Sequence, residues 1–261
     1  MKKLLIALVL LLVIAAIAFG VRTLGARDET DSVDSKDAAE LIEDGDGGSA
    51  DVEAGDRPEA GTYSYTGSGS ESVSALGGSK HVFPKEIAVV VQLDEDDDCG
   101  WTANVVYVKQ HIEEREYCTK DGVMIDRGFT RNIEFFNQLQ ETEYDCGDDA
   151  ERLRTEAAEG DTWTWTCTNG TAATSEYTAT SLGTEDITVG GEPVKTWRTK
   201  VVSKQTGDTV GSDTSEFWLA ETGLTVKFTA NLKVKTKSVL GETTFQEQIG
   251  YTINSLVPEA A

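Results

Sequence analysis

Histidine is nearly missing from this chain. Its 261 residues include two histidines (His81, His111), four prolines and four cysteines. None of the cysteines forms a CxxC pair, which excludes a redox dithiol and a thiolate zinc centre. There is no GxSxG, no phosphate loop and no dinucleotide fingerprint. No motif sets either histidine beside a nucleophile. The chain therefore reads as non-catalytic, with no cofactor and no metal, and no ligand-binding residue stands out. Basic residues are also scarce: 23 Lys/Arg face 46 Asp/Glu, for a formal net charge of −23. That balance repels nucleic acid, which is excluded as a partner. No repeat of solenoid or propeller period occurs.

One long apolar run is present, at the start. Lys2 and Lys3 precede a run from Leu4 to Phe19, which Gly20 and Val21 extend. It is long enough to span a bilayer and long for a signal-peptide core. The two lysines hold the short end in the cytoplasm. Residues 1–27 thus read as a transmembrane anchor or signal segment in the cell membrane, with the C-terminal domain outside. Cleavage near Leu24-Gly25-Ala26 would make the chain secreted. No cysteine lies close to this segment, which excludes a lipid-modified N-terminus.

Export agrees with the even number of cysteines, Cys99, Cys118, Cys146 and Cys167. Three pairings are open to them. The favoured one joins Cys99 to Cys118 and Cys146 to Cys167, because each bond then closes a loop of about twenty residues between neighbouring strands, worth about 3 kcal/mol.

Residues 28–60 contain thirteen Asp/Glu, two Lys/Arg and no aromatic residue. Such a composition buries too little apolar surface to offset its ordering entropy, and the segment reads as a disordered acidic linker. Within it, "SKDAAELIE" (Ser35 to Glu43) has the pattern of a short, transient helix.

Residues 61–258 carry strand signals: period-two alternation with a turn every ten to fifteen residues. In "GDTWTWTCTNG", Trp163, Trp165 and Cys167 alternate with threonines and share a face, which reads as core packed beside a disulfide. From Leu224 to Val234 even positions are apolar, while Thr225, Lys227, Thr229, Asn231 and Lys233 share the other face. Gly190-Gly191 suits a two-residue hairpin and Gly223 a longer one. A second short helix is expected within "CGDDAERLRTEAAEG", ended by Gly160. The fold class is mainly β: an antiparallel, strongly curved sheet, half-barrel or open barrel, with at most one or two short helices.

Two polar features invite a ligand. Asp94, Asp96 and Asp98 have the first spacings of a calcium loop, but Cys99 and Val105 stand where glycine and glutamate are required. The run reads as a solvated hairpin loop. Eight basic residues gather late in the chain, among them Lys195, Arg198, Lys200, Lys227 and Lys233. They read as the wet faces of long strands, with an anionic lipid or glycopolymer surface as the alternative.

The elements "DITVGGEPVKTWRTKV", "EFWLAETGLTVKF" and "YTINSL" resemble exported actinobacterial proteins of unknown function and, more distantly, the LolA/LppX-like half-barrel of envelope lipid carriers. The resemblance covers about a hundred residues. It implies a curved sheet enclosing an apolar cavity and carries over no catalytic residue. The expected function is a non-catalytic, membrane-tethered extracytoplasmic domain that binds a lipid or other apolar ligand. A structural or protein-interaction module of the cell envelope is the alternative, with an envelope protein as partner.

Overall fold

The computed structural model describes residues 31–43, 55–238 and 241–259. The anchor or signal segment expected at residues 1–27 lies outside the described residues. Among the described residues, no helix is long and apolar enough to cross a membrane.

The strands are β1 Gly61–Val73, β2 Ser79–Phe83, β3 Glu86–Leu93, β4 Gly100–Val108, β5 His111–Lys120, β6 Val123–Phe135, β7 Gln138–Cys146, β8 Glu151–Arg154, β9 Thr162–Asn169, β10 Ala173–Val189, β11 Glu192–Gly207, β12 Thr209–Leu219, β13 Thr225–Ser238 and β14 Gly241–Ile253. They form one antiparallel sheet whose ends meet, β14 pairing with β1 from Tyr65↔Ile253 to Val73↔Phe245. The result is a closed barrel of 12 strands, a curved sheet carried to full closure. The two remaining strands are extensions. Along β1, β2 continues the line of β3 beyond Pro84, and along β6, β8 continues the line of β7. Closure removes the sheet edges that would otherwise pair with other chains.

Local chemistry supports the curvature. Gly190 and Gly191 have φ of 59° and 95° and make the two-residue turn between β10 and β11. Gly69 lets β1 press against β14, since a Cβ there would lie 2.3 Å from the Gln248 carbonyl oxygen.

Two seams carry disulfides. Cys99 is bonded to Cys118 beside the β4–β5 pairing, and Cys146 to Cys167 between β7 and β9. The second seam is narrow, with only Asp145↔Thr168 and Cys146↔Cys167 in register. Trp163, Trp165 and Cys167 are buried. Trp165 stacks on Tyr177 at 5.0 Å, and the Trp163 indole donates to the Glu151 carbonyl. These tryptophans are core.

Two expectations are corrected. The segment after Cys146 forms no helix, because residues 151–154 pair with β6 as β8. Leu153 is fully buried, and Arg152 is tied to Asp126 by an ion pair. Pairing with the uncovered stretch of β6 overrides local helix propensity. Residues 31–43, read as part of a disordered linker, instead form a docked element. Helix α1, Ser35–Glu43, is capped by Asp34, whose Oδ1 accepts from the Asp37 amide at 2.9 Å. Val33 and Ala38 bury against Ala88, Val90 and Val106 on the outside of β3 and β4, with Ile42 packed alongside. Those strands are apolar on both faces, and α1 covers the outer one.

Candidate functional site

The barrel interior divides into two halves. At the β3–β4 and β12–β13 turns it is filled by side chains such as Tyr65, Trp101, Tyr117, Leu224 and Tyr251. Toward the β6–β7 and β1–β2 turns a cavity of about 430 Å³ remains. Nearest the turns its wall is uncharged, with Ile133, Phe135, Leu232, Val234 and Phe245 interspersed with Gln138, Gln140, Thr236 and Thr243. Two bulky residues at this rim have left-handed backbones: Leu76 at φ 52° and Phe136 at φ 57°. Such a conformation costs a bulky residue about 1 kcal/mol or more, and here both residues line the cavity mouth. Outside the rim, Leu139 is 63% exposed.

Farther in, the wall becomes charged. Glu113 accepts from Arg115 Nε at 2.5 Å and from Arg131 Nε at 2.8 Å. Asp126 pairs with Arg152 and lies 3.4 Å from Arg115 Nη1. Arg131, Glu113, Arg115, Asp126 and Arg152 thus form one chain of three guanidiniums and two carboxylates. Arg115 also lies over the Phe129 ring at 4.7 Å, and Arg152 over Phe217 at 4.7 Å. Burial pushes the Glu113 carboxyl up, but Arg115 and Arg131 outweigh it and hold it well below the ordinary carboxyl range.

Two other carboxyls on the wall have fewer partners. Burial pushes Asp213 up to about 6, with Arg131 opposing, and Asp213 Oδ1 has no hydrogen-bond partner. Burial likewise pushes Glu247 up to about 7, against Arg131 and His111. Below about pH 6, with both protonated, the chain of ion pairs carries one surplus positive charge facing the cavity; as Asp213 ionises above that, it offsets this charge. The arrangement suits an elongated ligand with an apolar body and an anionic end.

The residues singled out from the sequence lie elsewhere. The acidic loop at Asp94–Asp98 is closed by an internal cation: Arg57 Nη1 donates to the carbonyls of Asp94 (3.1 Å), Asp97 (2.9 Å) and Gly100 (3.0 Å). Asp97 also pairs with Arg127 at 2.5 Å. The late basic residues are on the outer face, where Arg198 and Lys227 flank the Trp218 ring at 4.8 and 4.2 Å. None of the four cysteines lines the cavity. The buried charges were missed, although a signal existed. "HIEEREYC" puts Glu113, Arg115 and Tyr117 on one strand face, and "FTRNIEF" puts Phe129, Arg131, Ile133 and Phe135 on another. Charge interleaved with aromatics on an inward face marks a lumen rather than a dry core.

These features define a class, a closed antiparallel β-barrel with a partly charged internal cavity. No family model matches the chain, and no curated protein matches it. Among solved structures, the crystal structure of the hypothetical lipoprotein YmcC from Escherichia coli (K12) is similar at 14% sequence identity. That similarity covers 84% of this chain and 97% of the other, with a TM-score of 0.31.

Proposed function

We propose that the barrel is a non-catalytic binding domain for a single-chain amphiphile, held with its anionic end toward Arg131 and Arg115 and its alkyl chain among the aromatic residues near the mouth. The observation that carries this reading is the cavity's charge gradient, from an uncharged mouth with Phe135, Val234 and Phe245 to the ion-paired guanidiniums farther in. Its volume falls within the range of small-molecule sites. Leu76 and Leu139 are exposed apolar side chains at the mouth that an entering alkyl chain would meet first. We place the domain outside the cell membrane, tethered through residues 1–27. Two disulfides support that oxidising compartment.

Native mass spectrometry of the chain purified from its own host, followed by calorimetric titration with oleate, tests the reading. A bound amphiphile, or one-to-one binding of oleate, is expected. Arg131→Met should weaken oleate about tenfold or more and leave oleyl alcohol nearly unchanged, because only the carboxylate uses the guanidinium. Failure of the wild-type chain to bind either probe would overturn the proposal.

A further inference from the structure

Both histidines of the chain converge on one buried carboxylate. The sheet register sets this up. Glu71 on β1 is directly opposite His81 on β2 and, on its other side, directly opposite Glu247 on β14. His111, at the start of β5, reaches the same point from across the barrel. His81 Nδ1 lies 2.6 Å from Glu71 Oε1. His111 Nδ1 lies 2.8 Å from Glu71 Oε2 and 3.8 Å from Glu247 Oε2. All four side chains are buried, with side-chain exposures of 3% for His81, 0% for Glu71 and His111, and 6% for Glu247.

Glu71 and Glu247 stand directly opposite each other on a buried sheet face, with the His111 ring between them. Pairing within the cluster is incomplete. His111 Nδ1 and Glu71 Oε2 meet at 2.8 Å, while His111 Nε2 and Glu247 Oε2 are buried with no hydrogen-bond partner. One oxygen from each glutamate and one nitrogen from His111 lie within 4.8 Å of one another, the spacing of ligands around a single ion. His81 occupies the other oxygen of Glu71 and stacks flat on Phe135 at 4.3 Å, which fixes the carboxylate's orientation.

We propose that Glu71, His111 and Glu247 bind one divalent transition-metal ion, with His81 as the positioning residue for Glu71. A mixed nitrogen and oxygen donor set favours Zn²⁺ or Co²⁺ over Ca²⁺, which takes oxygen ligands. Glu247 also lines the cavity, so an ion can arrive from that side and a water can complete its shell. The site is separate from the acidic surface loop, whose carbonyls hold Arg57.

The test uses the full chain, stripped with a chelator and titrated with Co²⁺ and then Zn²⁺. One equivalent of Co²⁺ should produce visible d–d absorption, and one equivalent of Zn²⁺ should abolish it. Glu247→Gln, close in shape, should weaken binding about 100-fold or more. Because there are two histidines, imidazole ¹⁵N spectra of the wild-type chain contain two sets of signals, and Zn²⁺ should move the Nδ1 signal of His111 strongly. No stoichiometric Co²⁺ spectrum, or undiminished affinity in Glu247→Gln, would overturn the proposal. So would histidine signals that ignore Zn²⁺, a reading that needs no variant to fold.

Discussion

Asp213 sits on the cavity wall with a buried oxygen that no donor reaches, and burial raises its carboxyl to about 6. In the unfolded chain the same group has a pKa near 3.9. Between those values the folded state holds a proton that the unfolded state releases, so this residue's contribution to stability increases as pH falls from about 7 toward 4. Above pH 6 the carboxylate destabilises the fold by up to about 3 kcal/mol. Asp213→Asn removes the charge at nearly constant shape. The variant should be more stable than wild type at pH 7.5 and lose that advantage at pH 4.5. Urea midpoints at the two pH values measure this directly, and an advantage that does not change with pH would contradict the assignment. The same uncompensated carboxyl faces the lumen where an anionic ligand is proposed to lie, so Asp213→Asn should also tighten oleate binding near neutral pH.

At the scale of elements, the weakest part of the barrel wall is the β7–β9 seam. Two residue pairs and one disulfide join these strands, whereas β10 and β11 are paired along most of their length. The bond closes a sequence separation of 21 residues, and its loss should cost about 3 kcal/mol. Replacing Cys146 and Cys167 together by alanine should also raise amide exchange in β7 and β9 before it does in β10 or β13. Uniform loss of protection around the barrel would show that the seam is not a separate unit. How far the elements were legible follows from their periodicity. Strands β9 and β13 announce themselves by strict alternation, and their inward residues are those alternation selects. Continuous burial in β3, from Ile87 to Val91, carried a second message: no alternation means that both faces are covered. The cover is α1, whose acidic composition concealed the apolar contribution of Val33, Ala38 and Ile42. Strand β8 was illegible because its conformation is set by the partner strand β6 and by the ion pair of Arg152 with Asp126, not by its own residues. A cavity was expected only through the family resemblance, and its position and charged wall were not read from the residues, since it depends on closure between strands far apart in sequence, β1 and β14.

For the whole molecule, two fields act on an anionic ligand with opposite sign. The chain carries a formal net charge of −23, which repels the ligand at long range. Inside the barrel, once Asp213 is protonated below about pH 6, three guanidiniums face two carboxylates, so attraction begins only once the anionic end is within contact distance and water is excluded. Salt screens the first interaction over about 10 Å at 0.1 M and barely touches the second, because buried pairs are poorly screened. Raising salt from about 0.02 to about 0.3 M should therefore speed association of a fluorescent fatty acid and leave its dissociation rate nearly constant. Affinity should rise with salt, the reverse of a site in which surface lysines capture the ligand. Stopped-flow traces at the two salt concentrations separate the rates. Slower association at high salt would assign capture instead to the outer basic residues, Lys195 to Lys237, and would require the ligand to bind on the outside of the barrel. With the uncharged alcohol of the same chain length neither rate should respond to salt, which isolates the field of the molecule from any change in the apolar cavity itself.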